Sequence, residues 1–244
     1  MSTELILYDL PSKGEKPTCW SYNAWKTRLA LNYKTIPYRT SWTEYPSIAP
    51  QARTFGIEPN PSVSSTGFSI PIARFPDGKY IMNSLQIAHE LEKFQPEPSL
   101  RLENGYVQPT TESVNLIVRA LAPRAVPRVW ELLLNPASQP YFHETRTRRF
   151  GMALTDVAES LEARDAWENA MPGVERLKAL LHENEGPFIA GEEVSYADFI
   201  LAGLWRFCER LDKDGDMFAK GMSMDESFPK HMEACRKWLA RDDH

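Results

Sequence analysis

A short apolar run entered through a proline, Ile70-Pro71-Ile72-Ala73-Arg74-Phe75, constrains this chain more than any other stretch. Phe75-Pro76-Asp77-Gly78-Lys79-Tyr80 then supplies a turn with Asp-Gly at its tip and hydrophobic residues on either side. Asn83 or Ser84 is placed to cap the next segment, in which Leu85, Ile87, Ala88 and Leu91 recur at helical spacing. The order is proline, strand, hairpin, strand, capped helix. If the Ile70–Pro71 bond is cis, the Ile70 backbone groups are left for an extended ligand to pair with. Ser84 would then offer its hydroxyl beside helix N-terminal amides, a setting that suits a carboxylate. Read alone, the same residues also describe an ordinary hairpin leading into an ordinary helix.

Upstream, Leu5 to Leu10 reads as a strand broken by Pro11, Gly14 and Pro17, and Ser21 to Lys34 as a helix. Pro37 to Trp42 reads as a second strand. Glu44 to Phe55 reads as a short helix or irregular loop, and residues 56–69, rich in Pro, Ser, Gly and Asn, as a surface loop. The order is β-α-β-α-β-β-α. Beyond the connector Gln95-Pro96-Glu97-Pro98-Ser99 only helical patterns recur. Pro123 and Pro127 predict a kink or break in the helix over 116–134, and Pro172-Gly173 an interruption of the pattern over 141–181. An α/β domain over 1–95 followed by an all-α domain over 105–244 is the expected division.

Ser195-Tyr196-Ala197-Asp198 reads as a capping box launching the apolar helix Phe199-Ile200-Leu201-Ala202-Gly203-Leu204. That reading accounts for Asp198 without giving it a catalytic role. The 244-residue chain has a net charge of −5, so no bulk basic field draws it to nucleic acid or acidic lipid. Met1-Ser2-Thr3-Glu4 lacks the basic and apolar regions of a secretion signal, and no apolar run approaches the ~20 residues of a membrane span. The three cysteines Cys19, Cys208 and Cys235 form neither a disulfide framework nor a zinc pattern, and His89, His143, His182 and His231 share no ligand spacing. A cytoplasmic protein without metal is expected. Arg146-Thr147-Arg148-Arg149 reads as a solvated helix face or an interdomain ion pair.

Together these features resemble the cytosolic glutathione transferases over nearly the whole length. The matching features are the proline that opens the third strand, the pair Asn83-Ser84 at the third helix and the capping box from Ser195 to Asp198. Leu7 to Leu10, Ser21 to Thr27 and Tyr141 to Arg146 resemble the bacterial lignin β-etherases, and more closely the etherase-related glutathione transferases of wood-decaying fungi. Asn83 departs from the family's usual Glu or Asp. The resemblance implies a thioredoxin-like N-terminal domain, a helical C-terminal domain, a cis bond before Pro71 and glutathione as co-substrate.

A free thiol has a pKa of ~8.5, so an enzyme gains by stabilising the thiolate with a hydroxyl and a helix N-terminus. The resemblance assigns that role to Ser21, which on the residues alone reads rather as a plain N-cap bonding the Asn23 or Ala24 amide. Asn23 either supplies a second donor or faces solvent. Trp42 and Tyr45 lie where the family holds the glycine end of glutathione, and also suit plain packing. Ile70, Pro71, Asn83 and Ser84 would line the rest of the peptide's groove. The second substrate is expected to be a hydrophobic aromatic held between the domains, near Arg119, Pro123, Pro127, Trp130, Trp20 and Tyr22. The family implies a homodimer. Three other readings stand beside the enzyme: a ligandin that holds phenolics with little turnover, a thiol reductase using Cys19, and a scaffold without glutathione affinity.

Overall fold

The computed structural model describes residues 4–62 and 64–242; Val63, residues 1–3 of the N-terminal stretch and residues 243–244 lie outside it. The α/β part comprises β1 (Leu5–Asp9), α1 (Tyr22–Tyr33), β2 (Tyr38–Trp42), a 3-10 turn (Tyr45–Ser47) running into α2 (Ile48–Thr54), β3 (Ile72–Arg74), β4 (Tyr80–Met82) and α3 (Ser84–Phe94). The sheet order is β2-β1-β3-β4. β1 pairs parallel with β2, Leu5 opposite Tyr38, and antiparallel with β3, Tyr8 opposite Ile72. β1 is buried along its whole length, as a central strand with both faces covered must be. The β3–β4 hairpin closes at the expected tip: Phe75 N–H donates to Lys79 O at 2.9 Å, and Gly78 adopts φ +92. The Ile70–Pro71 bond is cis, and so is Glu97–Pro98.

α1 is fastened to the sheet by a buried ion pair. Asp9, the last residue of β1, accepts from Arg28 Nε at 2.9 Å and from the Leu10 N–H at 2.7 Å. The same guanidinium donates to Thr40 Oγ1 of β2 at 2.9 Å. Both side chains are fully buried, so each depends on the other to offset the loss of water.

The helical part runs through α4 (Val107–Arg128), a π-helical turn (Val129–Leu133), α5 (Gln139–Phe150), α6 (Leu154–Glu159), α7 (Leu161–Arg164), α8 (Ala166–His182), α9 (Tyr196–Arg210), α10 (Phe218–Met222) and α11 (Ser227–Leu239). The four-stranded mixed sheet followed by this helical array is the thioredoxin-like and all-α combination expected. Two local expectations need correction. α4 continues through Pro123 and Pro127, and regular α geometry ends only after the second; the N–H that each proline lacks loosens the ladder, and the π turn takes up the slack. Pro172-Gly173 lies inside α8, and the interruptions over 141–181 fall instead after Phe150, at Ser160 and at Asp165. Gly173 is needed for packing: a Cβ there would lie 2.6 Å from Ser113 O of α4.

α9 is the spine of the molecule, buried from Tyr196 to Trp205. Asp198 Oδ2 accepts the Ser195 N–H at 2.7 Å, while Oδ1 accepts the Ile189 N–H at 2.8 Å and contacts His231 Nε2 at 3.2 Å. The residue thus ties the helix start to a loop and to α11, a larger structural role than the box alone. On its other side α9 presents Gly203 to α1, where a Cβ would lie 3.0 Å from Tyr22 O and 3.3 Å from Trp25 Cβ. One apolar core runs through both parts of the chain. No helix among the described residues is long and apolar enough to cross a membrane.

Candidate functional site

A cavity of about 530 Å³ opens between the α/β and helical parts, beside the N-terminus of α1. Ser21 stands on its wall. The residue is the N-cap of α1, with extended backbone at φ −75 and ψ 126, and its carbonyl accepts the Trp25 N–H at 3.0 Å. Its side chain makes no capping bond, so the plain N-cap reading does not hold. The hydroxyl is nearly buried yet uncommitted, beside the free amides of a helix start.

Asn23, one turn into α1, lines the same cavity. Its Oδ1 accepts from Lys26 Nζ at 3.0 Å, which turns the amide nitrogen toward the Tyr22 hydroxyl. Lys26 is buried, and burial lowers its pKa to about 8. The ammonium also lies 4.7 Å from the centre of the Tyr22 ring. Burial raises the Tyr22 hydroxyl, and Asn23, Arg149 and Arg119 oppose that rise.

Cys19 is elsewhere. Its side chain is fully buried behind the wall, its N–H donates to Asp242 O at 3.0 Å, and its thiol lies 3.9 Å from Ser21 O. Burial, with Asp9 beside it, pushes the thiol pKa well up, the reverse of what a reactive cysteine needs.

Ile70 and Ser69 form another edge of the cavity, with Ser64, Ser65 and Thr66. The Ile70 amide and carbonyl have no backbone partner among the described residues. Pro71, Asn83 and Ser84 lie just beyond this edge and are not part of the wall. Asn83 is the N-cap of α3, its Oδ1 accepting the Leu85 N–H at 2.9 Å and the Gln86 N–H at 3.4 Å, at a backbone φ of +87. Ser84 opens the helix and is nearly buried. Trp42 is not brought to the cavity; it packs against Arg28, whose guanidinium lies 5.3 Å from the ring centre. Trp130 is also outside, against His143 at 5.5 Å.

The apolar wall consists of Trp20, Tyr45, Tyr141, Phe142 and Phe207, with Val118, Val126 and Val129 of the helical part. Trp20 lies 6.4 Å from Tyr45, and Tyr45 stacks on Tyr141 at 6.4 Å and 19°. Burial pushes the Tyr45 hydroxyl up to about 12, with Arg146 opposing. Arg146 spans the interface as a cation over rings, 4.4 Å from Phe142 and 5.3 Å from Tyr45; of the two readings of its run, the exposed Arg148 and Arg149 fit the solvated helix face, and the run forms no interdomain ion pair among the described residues. Arg119 and Arg149 join it on the wall. The sequence carried a signal for this face: 142, 145, 146 and 149 recur at helical spacing on α5. Among the described residues no group of three or more acidic, His or Cys side chains is set to hold a metal.

Residues 20–93 match the N-terminal domain of glutathione S-transferases, and residues 110–238 match their C-terminal domain. The chain belongs to the glutathione S-transferase family. A glutathione S-transferase-like protein of Aspergillus flavus is 30% identical over 219 residues, covering 80% of this chain and 76% of the relative. A glutathione S-transferase of Ceriporiopsis subvermispora, solved in complex with glutathione, superposes with a TM-score of 0.86 at 31% identity, covering 99% of this chain and 100% of that one. A glutathione transferase of Phanerochaete chrysosporium gives 0.83 at 27% identity, with 96% and 97% covered. In this transferase chain, then, the uncommitted Ser21 hydroxyl, the Asn23 amide and the unpaired Ile70 backbone share one cavity with an aromatic wall.

Proposed function

We propose that the chain is a glutathione transferase of serine type. Glutathione lies extended past the proline-led strand, its cysteine amide paired with the Ile70 backbone and its γ-glutamyl carboxylate at Ser84 and the first amides of α3. Ser21 donates its hydroxyl to the thiolate, and the amide N–H of Asn23 supplies a second donor. The observation that carries this reading is the Ser21 hydroxyl, which faces the cavity at the start of α1 with no side-chain capping bond, so it can donate to an anion there without giving up a bond within the fold. The aromatic wall supports a hydrophobic aromatic electrophile as the second substrate. Likeness to fungal transferases supports an etherase-related subclass, with phenolics among its ligands and a homodimer as its assembly. Ultraviolet titration of bound glutathione tests the assignment. A thiolate formed well below the pH at which free glutathione ionises supports it, and an unshifted thiol refutes it.

A ligandin that holds phenolics with little turnover is the second reading, and the stacked rings beside the serine favour it. Conjugation of a chloronitrobenzene separates the two, because a ligandin binds without product.

A further inference from the structure

We infer that the compound bound beside glutathione is an aromatic anion, a flat ring system bearing a carboxylate, sulfonate or similar group, held by Arg119, Arg146 and Arg149. The inference rests on the transferase reading of the cavity and goes beyond it. The chain carries 33 acidic residues against 28 Lys and Arg, yet the cavity wall contains these three arginines and no Asp or Glu. The distribution follows the helix faces. α4 and α5 contribute six arginines. The three turned away from the cavity are paired: Arg124 and Arg128 with Asp216, and Arg148 with Glu144 at 2.8 Å. The three on the wall have no carboxylate partner among the described residues.

Each of the three is placed differently. Arg146 is half-buried, its guanidinium over the Phe142 ring at 4.4 Å, with one N–H spent on Thr145 Oγ1 at 2.9 Å and another on the Tyr45 hydroxyl, so its remaining N–H groups lie beside any ring held against Tyr45 or Tyr141. Arg119 and Arg149 are exposed at the mouth, one on each helix, and both fields reach the Tyr22 hydroxyl next to Ser21. Guanidinium groups recognise planar anions through paired N–H donors. Glutathione has carboxylates of its own, but the proposed peptide course along Ile70 and α3 leaves these arginines to the other ligand.

Two probes that differ in one group test this: anilinonaphthalene sulfonate and its neutral counterpart phenylnaphthylamine, titrated by fluorescence in the presence of saturating glutathione. The sulfonate is expected to bind at least about tenfold more tightly, as one charge-assisted contact allows, and its advantage shrinks with added salt. Arg119→Gln with Arg149→Gln cuts that advantage at least about threefold, leaving only the share held by Arg146, while neutral-probe binding, glutathione affinity and the melting temperature stay as in the parent. Equal binding of both probes by the parent overturns the inference, as does a preference that survives undiminished in the double variant. A fall in glutathione affinity alongside the lost preference assigns the arginines to the peptide's carboxylates and also overturns it. Failure of the parent to bind glutathione would count against the transferase reading alone, since the probe comparison can be run without the peptide.

Discussion

Lys26 Nζ donates to Asn23 Oδ1 across 3.0 Å, and among the described residues no carboxylate shares the ammonium. The contact fixes which way the Asn23 amide faces, and it does so with a cation that burial disfavours. With its pKa lowered to about 8 in the fold and ~10.4 unfolded, Lys26 is protonated in both states at neutral pH, and the folded state bears the desolvation cost. Lys26→Met should therefore stabilise the protein at pH 7, by up to about 3 kcal/mol. Between about pH 8 and pH 10.4 the folded parent binds fewer protons than its unfolded chain, so its stability rises relative to the variant and the gap closes. Urea unfolding of both proteins across that range measures the difference. A gap that does not change with pH would show that the ammonium bears no burial cost.

Ser21→Ala removes the uncommitted hydroxyl while leaving the Ile70 edge and the start of α3 intact. Losing one hydrogen bond to a charged group costs ~1.5–3 kcal/mol, so turnover should fall roughly ten- to 150-fold. Glutathione affinity, measured calorimetrically, should stay nearly as it was. An unchanged rate and thiolate absorbance would remove Ser21 from the chemistry.

Cys19 should be inert. Its thiol is fully buried with a raised pKa, so native protein near neutral pH should leave it unmodified by alkylating reagents until unfolded. Cys19→Ala should retain turnover. Loss of conjugation in that variant, or labelling of the native residue resolved by peptide mass, would favour the thiol-reductase reading instead.

Asn83 combines a cap with a backbone at φ +87. Asn83→Ala loses the two accepted amides while keeping a Cβ at the same strained φ, so a destabilisation of about 1–2 kcal/mol is expected. Asn83→Gly relieves the backbone and should lose less. Thermal unfolding ranks the pair; an alanine variant as stable as the glycine one would mean that the φ value carries no cost.

What was legible in the chain was local. The Asp77-Gly78 tip, the capped start of α3 and the pairing of Ser195 with Asp198 each depend on residues within a few positions of one another, and each formed as read. Contacts set by distant partners were not. Pro172-Gly173 has the composition of a break but serves the approach of α8 to α4. Asp9 finds Arg28 nineteen residues away, which no periodicity announces. Trp130 and Trp42 had the right residue type but were turned to other neighbours, His143 and Arg28. Ser21 and Ile70, picked out by the family resemblance and the proline-led strand, both lie on the cavity wall. Where opposing helices complete the site, at Arg146 and Arg149, helical spacing marks a common face, but only the fold shows that the face meets the cavity.

The close approach of α1 to α9 reaches further than packing. The helix that begins at Ser21 is fastened to the sheet through Arg28, and its opposite side lies so near Gly203 that even a methyl group would meet the Tyr22 carbonyl. A hinge between the lobes would have to pass through that contact, so the mouth of the cavity is shaped by its side chains, not by swinging domains. Position 203 thus acts at a distance on the start of α1. A side chain there would displace the Ser21 hydroxyl, and through it the thiolate that the hydroxyl is proposed to hold, without touching either.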